Sequence, residues 1–132
     1  MTTPAGERTS AATRTVLAGC SFAGLEYLYR TVRRRGRFAP GTMTVIDPRP
    51  IHSYVPLAHE VTGGVRDADE LRFDAAGFCR AIGAEWMQGA VSTLDREQRV
   101  IGLADGRSVA YDRAIIAIGS VPNLPETFAR SV

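Results

Sequence analysis

The sequence predicts an α/β fold built on a parallel sheet with helical crossovers, and three observations support this prediction. The apolar residues 15–18 lead through a turn of small residues into a stretch with helical periodicity. A second apolar run, residues 43–46, follows after roughly one helix length. Residues 113–118 are almost continuously apolar, which is typical of a parallel strand buried on both faces.

The first helix is predicted from apolar residues spaced at i, i+3, i+4 and i+7, which place them on one face. These residues are Leu25, Leu28, Tyr29 and Val32. Ser21 is suited to the N-cap of this helix, and Gly36 to the position that ends it.

The middle of the chain is predicted to contain a long connection, a helix and a third strand. Residues 49–70 show no clean period, and connections of this length are usually functional. A second helix is predicted over residues 71–82, ended by Gly83, and a strand over residues 84–88, with Trp86 in the core. The helix rests on the apolar positions Leu71, Ala75, Phe78, Cys79 and Ile82.

A change of pattern follows the third strand. Residues 91–94, 99–103 and 108–111 are short strand-like runs separated by turn residues, which predicts an antiparallel meander. The chain then returns to the parallel sheet through residues 113–118. A meander in place of a helical crossover is less common in doubly wound domains. This feature therefore reduces the number of protein families that the sequence fits.

Composition excludes several function classes. The chain of 132 residues has the length of one domain. Its net charge of +2 is too small to predict electrostatic binding to nucleic acid or to a membrane. No apolar run approaches the length of a membrane-spanning helix. The cysteines Cys20 and Cys79 indicate no disulfide framework and fit a reducing cytoplasm. His52 and His59 lack further ligands at metal-binding spacing, so we predict no metal site.

The turn after the first strand has the pattern of a dinucleotide-phosphate fingerprint. Gly19 supplies a tight turn, Ser21 stands where the pattern usually has its second glycine, and Gly24 allows the helix to pack closely on the strand. The helix N-terminus suits a pyrophosphate. Asp47 ends the second strand, where an acid accepts hydrogen bonds from a ribose hydroxyl. We expect Asp47→Ala to weaken nucleotide binding about tenfold with little change in fold stability.

Three blocks of sequence resemble the N-terminal FAD-binding part of two-dinucleotide-domain flavoprotein reductases of the pyridine nucleotide-disulfide oxidoreductase superfamily. The resemblance is strongest to type II NADH dehydrogenases and sulfide:quinone reductases, and it spans nearly residues 14 to 125. The blocks are residues 19–26, residues 46–64 with the aromatic-x-Pro-Leu loop, and residues 111–123 with the segment Ala-Ile-Gly-Ser-Val-Pro-Asn.

The resemblance implies a Rossmann-like FAD-binding domain and a role for each matching residue. The pyrophosphate would be cradled by Gly19, Ser21, Phe22, Ala23 and Gly24. Asp47 would hold the adenosine ribose. Pro48, Arg49, Ala90 and Val91 would line the adenine. Ala117, Ile118 and Gly119 would pass close to the cofactor, and Pro56 with its neighbours would approach the flavin ring.

The chain departs from the family pattern at several positions. Ser21 replaces a glycine, Ile118 replaces the usual threonine, and Val55 stands where glutamine often precedes the proline. No Cys-x4-Cys pair follows the first helix, which argues against disulfide reductases. Cys20 is expected to be a small packing residue, with a low-pKa thiol at the helix start as the alternative. No residue is a candidate catalytic acid or base.

The implied function is that of the FAD-binding portion of an NAD(P)H-dependent oxidoreductase that passes electrons to a quinone or similar acceptor. We expect residues 1–13 to be a disordered leader, residues 14–125 the FAD domain, and residues 126–132 a tail toward a second nucleotide domain. The chain would then be a fragment, a truncated product, or half of a split enzyme whose partner chain supplies the NAD(P)H domain. On its own it is expected to be inactive. The alternatives are a non-catalytic nucleotide-binding module and a simple NAD-binding domain.

The resemblance also bears on location. It implies a cytoplasmic protein, and peripheral contact with the inner face of a membrane would come only through a C-terminal part beyond this sequence.

Overall fold

The structure is a computed structural model in which residues 12–120 are described. In chain order the elements are β1 (Thr15–Ala18), α1 (Phe22–Arg35), β2 (Met43–Asp47), β3 (Ile51–Ser53), α2 (Ala58–Thr62), β4 (Arg72–Asp74), α3 (Ala75–Ala81), β5 (Glu85–Gln88), β6 (Val91–Asp95), β7 (Val100–Leu103), β8 (Ser108–Ala110) and β9 (Arg113–Ile116). Two 3-10 turns, Val55–Leu57 and Ala68–Leu71, precede α2 and β4.

The central sheet is parallel, with the strand order β5-β2-β1-β9. Helix α1 connects β1 to β2, and α3 lies on the connection from β2 to β5. The connection from β5 to β9 is the three-stranded antiparallel meander β6-β7-β8. The predicted fold class, a parallel sheet with helical crossovers and a meander insertion, is confirmed.

The two middle strands, β1 and β2, are covered on both faces, because their successive side chains point to opposite faces of the sheet. On the helical face, Leu17 and Val45 pack in a cluster with Leu28 of α1. On the meander face, Val16 and Ile46 pack with residues of β7 such as Ile101. Trp86, expected in the core, packs against the helical-face cluster as a partly buried residue.

Helix α1 begins and ends where the sequence predicts. Gly36 terminates it with φ +78° and donates its N–H to the Val32 carbonyl oxygen. Ser21 precedes the helix but makes no side-chain capping hydrogen bond within the described residues. The predicted apolar face is wrong at Tyr29, whose side chain is half exposed, and Tyr27 packs on the helical-face cluster instead. An amphipathic tyrosine satisfies an apolar period without being buried.

The prediction of an unstructured connection over residues 49–70 is wrong. Strand β3 pairs with β4 in an antiparallel hairpin, with His52 opposite Phe73, and α2 and the two 3-10 turns lie between them. We call residues 51–74 the hairpin insert. Elements of three to five residues are too short to show a full hydrophobic period, which explains the error.

Two further boundaries differ from the predictions. Helix α3 begins at Ala75 rather than Leu71, because the Asp74 side chain caps it by accepting a hydrogen bond from the Gly77 N–H at 2.8 Å. Strand β9 lies at the edge of the sheet and is not buried on both faces, since Ile116 is 49% exposed. Residues 1–11 of the predicted leader, residues 121–125 of the predicted domain with Pro122 and Asn123, and the predicted tail 126–132 lie outside the described residues.

Candidate functional site

The carboxyl ends of the four parallel strands meet at one edge of the sheet, where α/β proteins commonly bind ligands. The register places Ala18 beside Ile46 and Ile116, and Asp47 beside Gln88. We call the turn 19–24, Asp47, residues 88–91 and residues 117–119 the carboxyl edge. These segments contain most of the site residues named from sequence.

Gly19 makes the turn after β1 and brings two strand ends together. Its φ of +94° lies in the left-handed region, and its N–H donates to the Ile46 carbonyl oxygen at 2.8 Å. A Cβ at this position would overlap the carbonyl group of Ala117. Gly19 therefore allows the chain after β9 to approach the turn at Ala117.

Gly24 allows α1 to start close against the turn. A Cβ there would overlap the carbonyl oxygen of Gly19 and lie 3.6 Å from the Leu17 side chain. The first turn of α1 is closed by the Leu25 N–H, which donates to the Ser21 carbonyl oxygen at 2.8 Å. By helix geometry, the N–H groups of residues 21–24 lie ahead of that bond and have no acceptor within the helix, which is the arrangement that suits an anion.

Asp47 is buried at the centre of the carboxyl edge. It is 4% exposed. Its Oδ2 accepts from the Cys20 N–H at 2.8 Å, and its Oδ1 accepts from the Arg49 N–H at 2.8 Å. The carboxylate thus ties the turn after β1 to the end of β2, a structural role in addition to the ribose contact expected from the sequence.

The burial of His52 beside Asp47 is a feature that the sequence analysis missed. The sequence assigned His52 no metal and placed it on the flavin-side loop or its surface, but it is 7% exposed and its Nε2 lies 3.4 Å from Asp47 Oδ2. This nitrogen has no hydrogen-bond partner among the described residues. The signal in the sequence is the alternation along β3, where His52 points inward between the exposed Ile51 and Ser53.

The residues expected around the adenine also come together. The Gly89 N–H donates to the Asp47 carbonyl oxygen at 3.1 Å, and Gln88 Nε2 donates to the Pro48 carbonyl oxygen at 3.2 Å. Ala90 follows at the start of the meander, where its carbonyl oxygen accepts from the Ala104 N–H at 2.8 Å. Arg49 and Ala90 are exposed, and Val91 is partly buried.

Arg107, the residue immediately before β8, is a second residue that sequence reasoning missed. Its Nη2 donates to the Gln88 carbonyl oxygen at 2.5 Å and forms an ion pair with Asp105 at 2.6 Å. Hydrogen bonds from Arg107 lower the pKa of the Asp105 carboxyl, and the same contact raises the pKa of Arg107. A guanidinium therefore stands beside residues 88–89 on the meander side of the carboxyl edge.

The loop expected on the flavin side lies against the start of α1. The ring of Tyr54 meets that of Phe22 edge to face, with centroids 5.8 Å apart. A pocket of about 520 Å³ opens here between α1 and the hairpin insert. Its lining includes Ser21, Phe22, Leu25, His52, Tyr54 and Leu57. Pro56 is exposed and is not part of that lining, whereas Tyr54 and Leu57 on either side of it are.

The residues after β9 are brought to the turn with unequal exposure. The Ala117 N–H donates to the Ala18 carbonyl oxygen at 2.7 Å. Ile118, at the position where the family pattern has threonine, is 62% exposed. Gly119 has φ +74°, with no atom near enough to block a side chain.

Cys20 is not a low-pKa thiol. It is completely buried, and a hydrogen bond to Cys79 together with burial raises its pKa well above the ordinary value. The helix start therefore does not activate this thiol, and that alternative is wrong. Packing is the role that its burial in the helical-face cluster supports.

Within residues 12–120, no three His, Cys, Asp or Glu side chains are grouped in a way that would hold a metal ion. The longest helix of this part of the chain, α1, has 14 residues, and none of its helices has the length and hydropathy to cross a membrane.

Comparison with known sequences identifies relatives. No protein-family model matches the chain. It is 31% identical over 121 residues to the type II NADH:quinone oxidoreductase of Haemophilus influenzae, covering 82% of this chain and 27% of that protein. It is 27% identical over 79 residues to the mitochondrial sulfide:quinone oxidoreductase of Dictyostelium discoideum, covering 60% of this chain and 17% of that protein.

Solved structures agree on the fold. The water-forming NADH oxidase of Lactobacillus brevis, determined with NADH bound, matches with a TM-score of 0.73 at 20% identity, over 86% of this chain and 26% of that one. The chain thus spans 27% or less of the length of each of these three proteins. The chain is a homologue of the type II NADH:quinone and sulfide:quinone oxidoreductases over this part of their length, and its fold is of the Rossmann type.

Proposed function

We propose that this chain is the FAD-binding portion of an NAD(P)H-dependent flavoprotein oxidoreductase. The observation that supports this most directly is the carboxyl edge, where a glycine turn, open helix N–H groups and the buried carboxylate of Asp47 converge. The relatives are oxidoreductases whose names specify NADH or sulfide as donor and quinone as acceptor.

The proposed roles follow from the contacts of each segment. The N–H groups of residues 21–24 would bind the pyrophosphate, because they are the donors that α1 leaves open. Asp47 would accept from a ribose hydroxyl through the lone pairs that Cys20 and Arg49 do not use. Pro48 and residues 90–91 would flank the adenine.

The flavin half of the cofactor is assigned to the pocket between α1 and the hairpin insert. Its volume, about 520 Å³, is in the ordinary range for a bound ring system, and its lining is largely apolar and aromatic. Ala117, Ile118 and Gly119 would pass along the cofactor at the other side of the turn. The chemistry supplied by bound FAD is acceptance of a hydride from reduced nicotinamide and release of electrons to an acceptor.

The nicotinamide site is proposed to lie in polypeptide other than residues 14–125. A partner chain is one polypeptide that could supply it. The 132 residues contain one strand-turn-helix fingerprint, at residues 15–24, and no second one. Hydride transfer requires the nicotinamide to be held close to the flavin. We therefore expect this chain alone, with FAD, to oxidise NADH no faster than free FAD does. The electron acceptor, and a cytoplasmic location, stay predictions.

The test compares the binding of FAD and of NADH to the purified chain. Calorimetry measures both affinities, and the change in flavin fluorescence gives a second measure for FAD. We expect FAD to bind and NADH to bind more weakly. Asp47→Asn should weaken FAD binding about tenfold, whereas Asp69→Asn, a change at an exposed carboxylate away from the edge, should leave it unchanged. Tighter binding of NADH than of FAD would contradict the proposal and favour a simple NAD-binding domain.

A further inference from the structure

Two cysteines that have no role in the proposed nucleotide site face each other, one of them in the turn 19–24. Cys20 belongs to the turn after β1, and Cys79 lies in α3. Both side chains are fully buried, and their sulfur atoms are 3.8 Å apart. They are the only cysteines of the sequence. The fold therefore brings together the complete set of thiols from positions far apart in the chain.

The environment of the two thiols is unequal. The hydrogen bond to Cys20 lowers the pKa of Cys79, because the Cys20 S–H stabilises the Cys79 thiolate. The charge of Arg80 acts in the same direction, whereas burial and the carboxylates of Asp47 and Asp74 oppose it. The same bond raises the pKa of Cys20. Since the thiolate is the nucleophile in sulfur oxidation, Cys79 is the thiol suited to react first, and Cys20 the thiol suited to resolve.

Joining the two sulfur atoms would pull on the turn 19–24, which contains Cys20. A disulfide needs the two atoms to approach from 3.8 Å to about 2.05 Å. Cys20 is held on its other side by its N–H, which donates to Asp47 Oδ2 at 2.8 Å. Helix α3 is fixed by its own packing against the sheet, with Ala75 and Cys79 both fully buried. A shift of Cys20 toward α3 would therefore strain or break its bond to Asp47.

We propose that Cys20 and Cys79 are a redox-active pair that closes to a disulfide on reaction with hydroperoxide and thereby displaces the turn 19–24. The Cys79 thiolate attacks one peroxide oxygen, an S–O bond forms, the O–O bond breaks, and hydroxide leaves to be protonated as water. The Cys20 sulfur then attacks the sulfenic sulfur of Cys79, loses its proton, and expels the second oxygen as water. Two thiols are oxidised to one disulfide, and one hydrogen peroxide is reduced to two waters.

The experiment uses the full chain, reduced and then treated with hydrogen peroxide. Intact mass should fall by two hydrogen atoms, peptide mapping should find Cys20 joined to Cys79, and dithiothreitol should reverse the change. Hydrogen exchange of the peptide covering residues 19–24 should become faster in the oxidised form, because the Cys20 N–H loses its acceptor. This readout requires no FAD, so it is decided even if the proposed cofactor is wrong.

Two control variants, Cys79→Ser and Cys79→Ala, should show neither the mass change nor the faster exchange, with folding of each checked by circular dichroism. The wild-type chain itself decides the proposal if neither variant folds. A wild-type chain that keeps two free thiols, or that gains oxygen atoms without linkage, overturns it. A disulfide that forms with unchanged exchange in residues 19–24 overturns the proposed movement of the turn.

Discussion

The carboxyl edge and the hairpin insert lie side by side but are held together differently. At the edge, backbone groups and one carboxylate make the contacts: Gly19 lies against Ala117, and Asp47 accepts from two N–H groups. In the insert, two paired strands of three residues each and exposed aromatic rings such as Tyr54 make them. The edge is therefore fixed by close backbone approaches that tolerate little change, while the insert is fixed by a short strand pairing and by side-chain packing that leaves apolar surface exposed.

The largest expected effect is at the turn. Gly19→Ala should lower the free energy of unfolding by about 3–5 kcal/mol, because a Cβ meets the Ala117 carbonyl and the residue keeps a left-handed φ. The matched control is Gly106→Ala, because Gly106 has φ +88° but open space around it. This change should lower the free energy of unfolding by about 1 kcal/mol. Chemical denaturation of both variants measures the difference. Equal losses would mean that the contact between the strand ends is not rigid.

The next effect is at Asp47, where the structure changes the expectation from sequence. Because two N–H groups lose their acceptor, Asp47→Ala should cost about 1–3 kcal/mol of stability as well as weakening FAD binding about tenfold. Asp69→Ala is the control, since that carboxylate is paired only at the surface, and it should change stability by less than about 0.5 kcal/mol. A stable Asp47→Ala protein would return the residue to a purely ligand-binding role.

His52 lies where the two regions meet. His52→Phe should change the free energy of unfolding by less than about 1 kcal/mol, because Nε2, the buried one of the two ring nitrogens removed, has no hydrogen-bond partner within residues 12–120. The affinity for FAD should nevertheless fall several-fold, since Nε2 lies 3.4 Å from Asp47 Oδ2 and His52 is part of the pocket lining. His59→Phe, at an exposed histidine, is the control. Calorimetric titration of both variants separates these outcomes, and unchanged affinity in His52→Phe would leave this histidine as core packing.

The smallest effect is expected in the insert. The edge-to-face pair of Phe22 and Tyr54 should contribute a coupling of about 0.5–1.5 kcal/mol in a double-mutant cycle of the two alanine variants, read out by chemical denaturation. Both rings are about half exposed, which keeps the value near the lower limit. A coupling above the whole cost of Asp47→Ala would reverse the comparison between the two regions.

The same contrast explains what the sequence was able to predict. The fold class, α1, β2 and the glycine turn carry local signals: helical period, strand alternation and a fingerprint whose glycines have steric reasons. The hairpin insert was missed because the pairing of His52 with Phe73 spans twenty-one residues of chain and rests on three-residue strands. The burial of His52 and the approach of Cys79 to Cys20 depend on tertiary packing, which no local pattern encodes.

The exposure of β9 was missed for a related reason. Its apolar residues predict burial, but burial depends on what covers them, and Ile116 is half exposed at the sheet edge in the part of the chain that the structure describes. A run of apolar residues indicates that a strand prefers to be buried, but it does not show which elements cover that strand.

The central claim is that the carboxyl edge binds the adenosine-diphosphate half of FAD, and competition between the two halves of the cofactor tests it most directly. FAD bound to the chain would be titrated with ADP and, separately, with FMN, and displacement followed by flavin fluorescence and equilibrium dialysis. We predict that ADP displaces FAD, that FMN displaces it at least about tenfold less well, and that Asp47→Asn abolishes the preference. Displacement by FMN in preference to ADP would contradict the assignment of Asp47 and the turn 19–24 to the nucleotide.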